Sequence, residues 1–98
     1  MLEIRILEIA QLEFNEAKEF YEIEQTGLGA KFGNEIKNGF LRIQQFPQAW
    51  PSDCKETRRY LTRKFPYKII YSIQENEIVI LAFAHLHRKP NYWVDRIK

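Results

Sequence analysis

Between residues 58 and 93 the sequence gathers the side chains best suited to chemistry. His85, His87, Arg88 and Lys89 fall within five positions, and Arg58, Arg59, Arg63 and Lys64 precede Pro66. Tyr92 and Trp93 follow on a tail that Pro90 turns. Cations beside a His and a Tyr suit phosphodiester chemistry. Arg and Lys neutralise a phosphate and its transition state, while His and Tyr exchange protons with an attacking 2′-hydroxyl and a leaving oxygen. Aromatic rings also stack on splayed RNA bases. Each group has a plainer reading. Counted along its strand, His85 has the parity of Val79, Leu81 and Phe83, which equally fits a half-buried, hydrogen-bonded core histidine. Tyr92 and Trp93 suit a clamp holding the tail to the domain. The Arg58–Arg59 pair suits an edge strand, where charge discourages aggregation. No nucleotide-binding loop, nucleophile motif or metal-binding spacing competes with this cluster, and no cofactor is expected.

The elements that position these residues follow from periodicity. Leu2, Ile4 and Ile6 alternate with Glu3 and Arg5, as in a short strand with one buried face. From about Ile9 the period lengthens: Ala10, Phe14, Ala17 and Tyr21 share one helical face. Glu13, Glu16, Lys18, Glu19 and Glu22 occupy much of the rest. No Ser, Thr, Asp or Asn caps the start, and Thr26-Gly27 ends the helix. Phe32, Ile36, Phe40 and Ile43 define a second helix that Pro47 prevents from extending beyond Phe46. Gly39 lies on its apolar face, as a close approach to the sheet or to the first helix would require. The short Gly-containing link makes a helical hairpin.

Strands are predicted over Arg58–Thr62, Tyr67–Ile73 and Ile78–His85. The second places Tyr67, Ile69, Tyr71 and Ile73 on one face. Glu75-Asn76 is a two-residue hairpin turn in which Asn supplies the positive φ. Ile78–His85 is apolar on both faces, as a central strand requires. The predicted fold is a single α+β domain over residues 1–98. A helical hairpin covers one face of a mostly antiparallel sheet, in the order β-α-α-β-β-β with a short C-terminal helix or turn. The other face is left for side chains, a ligand or a partner.

Composition narrows the function classes. A chain of 98 residues with 45% hydrophobic and 14% aromatic content suits one folded domain. One cysteine, Cys54, excludes an internal disulfide and fits a reducing compartment. No apolar run is long enough to span a bilayer, and a cytoplasmic protein with no membrane partner is expected. The net charge of +2 conceals a split. Residues 1–49 carry five basic and eight acidic side chains, residues 50–98 ten and five. The second half therefore points toward an anionic partner.

With these pieces in order, the chain resembles the RelE/ParE superfamily, the toxins of bacterial type II toxin–antitoxin (plasmid-stabilisation) modules. The likeness runs through AQLEFNEAKEFYE, GLGAKFGNEI and FPQAWP, and is most specific in RRYLTRKFPYKIIY and IVILAFAHLHRKPNYW. It implies the fold reached from periodicity and a cognate antitoxin that wraps and neutralises the toxin. For activity it implies two branches. RelE-like members enter the ribosome and cut mRNA through the 2′-hydroxyl; ParE-like members bind and poison DNA gyrase without chemistry of their own. On the first branch the matching positions are Arg59, Arg63, His85, Arg88 and Tyr92. Arg59 or Arg63 would stabilise the phosphate, His85 would act as base or acid, and Tyr92 would donate a proton or stack. That use of the cluster makes ribosome-dependent mRNA cleavage the expectation. Gyrase inhibition, or a degenerate toxin that retains only antitoxin binding, is the alternative.

Overall fold

In the computed structural model, which describes residues 1–97, the apolar faces of two helices close over one side of a four-stranded sheet. Strand β1 spans Glu3–Ile6, helix α1 Glu8–Glu24 and helix α2 Leu28–Gln45. Strands β2 (Arg58–Leu61), β3 (Tyr67–Gln74) and β4 (Glu77–His85) follow, then a single 3-10 turn at Val94–Arg96. The sheet order is β1-β4-β3-β2; β1 runs parallel to β4 and the other neighbours are antiparallel.

Neither helix uses a side-chain cap of its own. Instead the Glu22 carboxylate, from the last turns of α1, accepts the N–H groups of Gly27 and Gly29 at 3.0–3.1 Å. An acidic group on the exposed donors of a helix start also offsets the helix dipole. Gly27 makes the tight link between the helices by adopting φ +92°, which L side chains rarely tolerate. The close approach expected of Gly39 is to the sheet: a Cβ there would lie 3.0 Å from both Ile69 Cδ1 and Tyr60 Cε1.

The strand readings hold with local differences. β2 stops at Leu61, one residue early, although Thr62 still donates its N–H to Tyr67 O at 3.0 Å. In the β3–β4 turn the positive φ (52°) is carried by Glu75, not by Asn76. A β-bulge separates the Ile70↔Ala82 and Tyr71↔Ile80 pairs, so Leu81 is the extra residue on β4. An extra residue reverses the alternation of everything beyond it. Val79 and Leu81 consequently face away from the helices, whereas Phe83 packs with Ile78 and Ile80 beneath them. His85 shares its side with Phe83 but not with Val79 and Leu81, correcting the uninterrupted parity expected for it.

The far face of the sheet is not left open. Ile70, Val79, Leu81, Ala82 and Ala84 form a second apolar cluster with Trp93, which is 1% exposed, flanked by Tyr92, Val94 and Ile97. The C-terminal segment is therefore a third layer, with Trp93 as its clamp.

Candidate functional site

The geometry of the C-terminal end of β4 starts from a shortfall in the sheet. β1 pairs with β4 only as far as Ile80, and after Leu7 N–H donates to Ile80 O the chain turns away into α1. The outer edge of β4 beyond Ile80 is buried and still needs partners for its backbone groups. Two side chains replace the missing strand. Glu13 Oε1 of α1 accepts the Phe83 N–H at 3.1 Å, and Arg96 Nη1 donates to Leu81 O at 2.9 Å.

These two side chains also bind each other. Arg96 Nη1 and Nη2 meet Glu13 Oε1 and Oε2 at 2.9 and 3.1 Å, a two-pronged pair with both side chains nearly buried. The Tyr92 hydroxyl donates to Glu13 Oε2 at 2.6 Å. Arg88 lies with its guanidinium carbon 3.9 Å from the Tyr92 ring centre and its Nη1 3.9 Å from Glu13 Oε2. Periodicity alone places Glu13 on the polar side of α1 and singles out no role for Arg96. Both belong to the centre of this cluster. The available signal was weak: one Glu among several, directly before Phe14 and next to the core face.

His85 sits at the rim of this network, half-buried, in an open cleft lined by Glu13, Glu16, Phe20, Tyr67 and Arg88. Its ring lies edge-on to Tyr67 at 5.1 Å, and its Nδ1 accepts the His87 N–H at 3.0 Å. A neutral His85 therefore carries its proton on Nε2.

The structure thus brings His85, Arg88 and Tyr92 together, sets the loop that carries Arg63 beside them without a side-chain contact between them among the described residues, and draws Arg59 elsewhere. Arg59 is on the edge strand β2, donating to Ser52 O at 2.7 Å with Asp53 3.8 Å away. Arg63 follows β2; its backbone N–H is held by the buried Glu35 at 2.7 Å, and its side chain is exposed. Burial raises the Tyr92 phenol well above its ordinary value of 10.0, and the Glu13 carboxylate reinforces the shift against the opposing pull of Arg96 and Arg88. Burial also raises Tyr67. General acid–base groups work best with pKa values near the operating pH, and both tyrosines move away from it. Among the described residues no group of three His, Cys, Asp or Glu side chains is placed to hold a metal ion.

Residues 4–90 match the family described as ParE toxin of type II toxin-antitoxin system, parDE. The chain belongs to this ParE toxin family. It is accordingly the toxin component of a type II toxin–antitoxin module, with a cognate antitoxin as partner. No curated protein sequence matches it. Among solved structures, the fold is similar to that of a chain from the chromosomal ParDE TA system from P. aeruginosa. The TM-score is 0.78 at 16% identity, covering 89% of this chain and 98% of that one. At that identity the likeness is one of fold, and it agrees with the α+β, RelE/ParE-like architecture expected from the sequence.

Proposed function

We propose that this ParE-family toxin arrests growth by binding and inhibiting DNA gyrase in the cytoplasm, rather than by cutting mRNA. The observation that carries this reading is that three of the five groups cleavage would recruit, Tyr92, Arg88 and Arg59, are already engaged within the protein. Tyr92 is committed to Glu13, with its proton held more tightly than in a free phenol. Arg88 is stacked on Tyr92 and faces Glu13. Arg59 is tied to Ser52 and Asp53. Stabilising a phosphorane-like transition state calls for donors aimed at developing charge, without a bonded carboxylate between them. The family match supports the same branch.

A second reading, ribosome-dependent mRNA cleavage, draws on one feature: His85 lines an open cleft with Arg88 and keeps Nε2 clear of its bond to His87. The test is a supercoiling reaction with purified gyrase and the antitoxin-free toxin, run beside a ribosome-dependent translation reaction read by primer extension. Loss of supercoiling with intact mRNA is the expected result. Discrete ribosome-dependent 5′ ends, with supercoiling unaffected, would replace this reading with the second.

A further inference from the structure

The loops at the Tyr67–His85 end of the sheet concentrate positive charge. Residues 62–67 and 85–90 hold Arg63, Lys64, Arg88, Lys89 and two His, and no acidic residue. Backbone bonds set the loops side by side: Leu86 N–H donates to Pro66 O at 2.8 Å, and Tyr67 pairs with His85. Arg63, Lys64 and Lys89 are exposed, and none has an acidic partner within 4.0 Å among the described residues. Arg88 is partly engaged by Glu13, so three permanent cations remain uncompensated.

At the other end of the sheet lie Glu3, Glu75 and Glu77, with Arg5 paired to Glu77. The nine residues of β4 separate the two ends by roughly 27 Å. Screening in physiological salt acts over about 8 Å, so neither end neutralises the other. The nearer carboxylates are Glu13 and Glu16 on α1 and the buried Glu35 on α2, which belong to the helical layer, and Asp53, which Arg59 and Lys68 already face. A ligand meeting the two loop tips away from that layer encounters a net positive surface.

We infer that this loop pair is a contact surface for the phosphodiester backbone of duplex DNA. Three adjacent exposed cations without interspersed acids match a continuous row of phosphates better than the mixed charges of a protein surface. The assignment of the polyanion as DNA rests on the gyrase reading, because gyrase acts while holding DNA. The toxin would then engage the enzyme and its DNA together. Neutralising three phosphates releases their counterions, giving a slope of log affinity against log salt of about −2.7.

The experiment is a fluorescence-anisotropy titration of labelled duplex DNA with the antitoxin-free toxin at several salt concentrations. Wild type should bind at low salt with that slope. Arg63→Ala combined with Lys64→Ala should flatten the slope by about 1.8, Lys89→Ala by about 0.9, and both should weaken binding. Lys31→Ala with Lys37→Ala, exposed on α2, should bind like wild type. Absence of low-salt binding, or variants that bind like wild type, would overturn the inference. So would tighter binding of single-stranded RNA, which would assign the surface to the ribosome-dependent reading. The supercoiling assay separates the two claims. A toxin that inhibits gyrase but binds no duplex overturns only the DNA contact, whereas one that binds duplex through these residues without inhibiting gyrase overturns only the proposed function.

Discussion

The Tyr92 hydroxyl and the Glu13 carboxylate meet at 2.6 Å across 79 positions of sequence, joining the C-terminal layer to α1 around the unpaired edge of β4. Arg96 doubles the joint, and Glu13 also serves the Phe83 amide. Removing one member of a nearly buried pair strands the other. Glu13→Ala should therefore cost about 3 kcal/mol in urea unfolding. It should also accelerate hydrogen exchange at the Phe83 amide, which loses its acceptor. Arg96→Lys should lose part of this stability, because an ammonium cannot make the two-pronged contact. Unchanged Phe83 exchange in Glu13→Ala would contradict the joint.

Tyr71 supplies a pH dependence. Its hydroxyl donates to Pro47 O at 2.6 Å, and burial pushes its pKa up to about 12 despite the opposing charge of Arg58. A phenol whose folded pKa exceeds its unfolded value of 10.0 contributes stability that is complete below pH 10. That contribution is lost as pH rises from 10 toward about 12. Thermal unfolding followed across this window should show a falling midpoint, and Tyr71→Phe should shallow the fall. An equally steep fall in Tyr71→Phe would show that other groups dominate.

Two glycines of α2 should answer the same substitution with opposite signs. At Gly33 the nearest atoms to an added Cβ are Lys18 Cε and Phe14 Cζ, at 3.8 and 3.9 Å. Gly33→Ala should stabilise by up to about 1 kcal/mol, through helix propensity alone. At Gly39 the Cβ would press on Ile69 and Tyr60, so Gly39→Ala should destabilise by about 1–3 kcal/mol. Chemical denaturation of both variants decides the matter; equal signs would mean that the helix-to-sheet spacing is soft.

Much of this arrangement is legible in the sequence because it follows from local periodicity. The faces of Ala10–Tyr21 and Phe32–Ile43, the Gly39 approach, the hairpin at Glu75-Asn76 and the α+β layering all come from side-chain spacing. What is not legible depends on contacts distant in sequence. No residue marks Leu81 as a bulge, since an apolar run on both faces hides the change of parity that turns Phe83 and His85 toward the helices. The role of Glu13 arises only because β1 stops opposite Ile80 and leaves an edge to be satisfied. Arg59 and Arg63 look like companions of His85 in sequence. The Asp53 and Ser52 contacts of Arg59, made through a loop, draw it elsewhere.

On the proposed gyrase-binding function, toxicity comes from binding and not from the His85 cluster. Growth arrest is best measured with His85→Ala and Arg88→Ala toxins induced without antitoxin, with folding and antitoxin affinity checked on the purified proteins. Both variants should arrest growth as wild type does. Loss of toxicity in both, with fold and antitoxin affinity intact, would contradict that function and identify the cluster as catalytic.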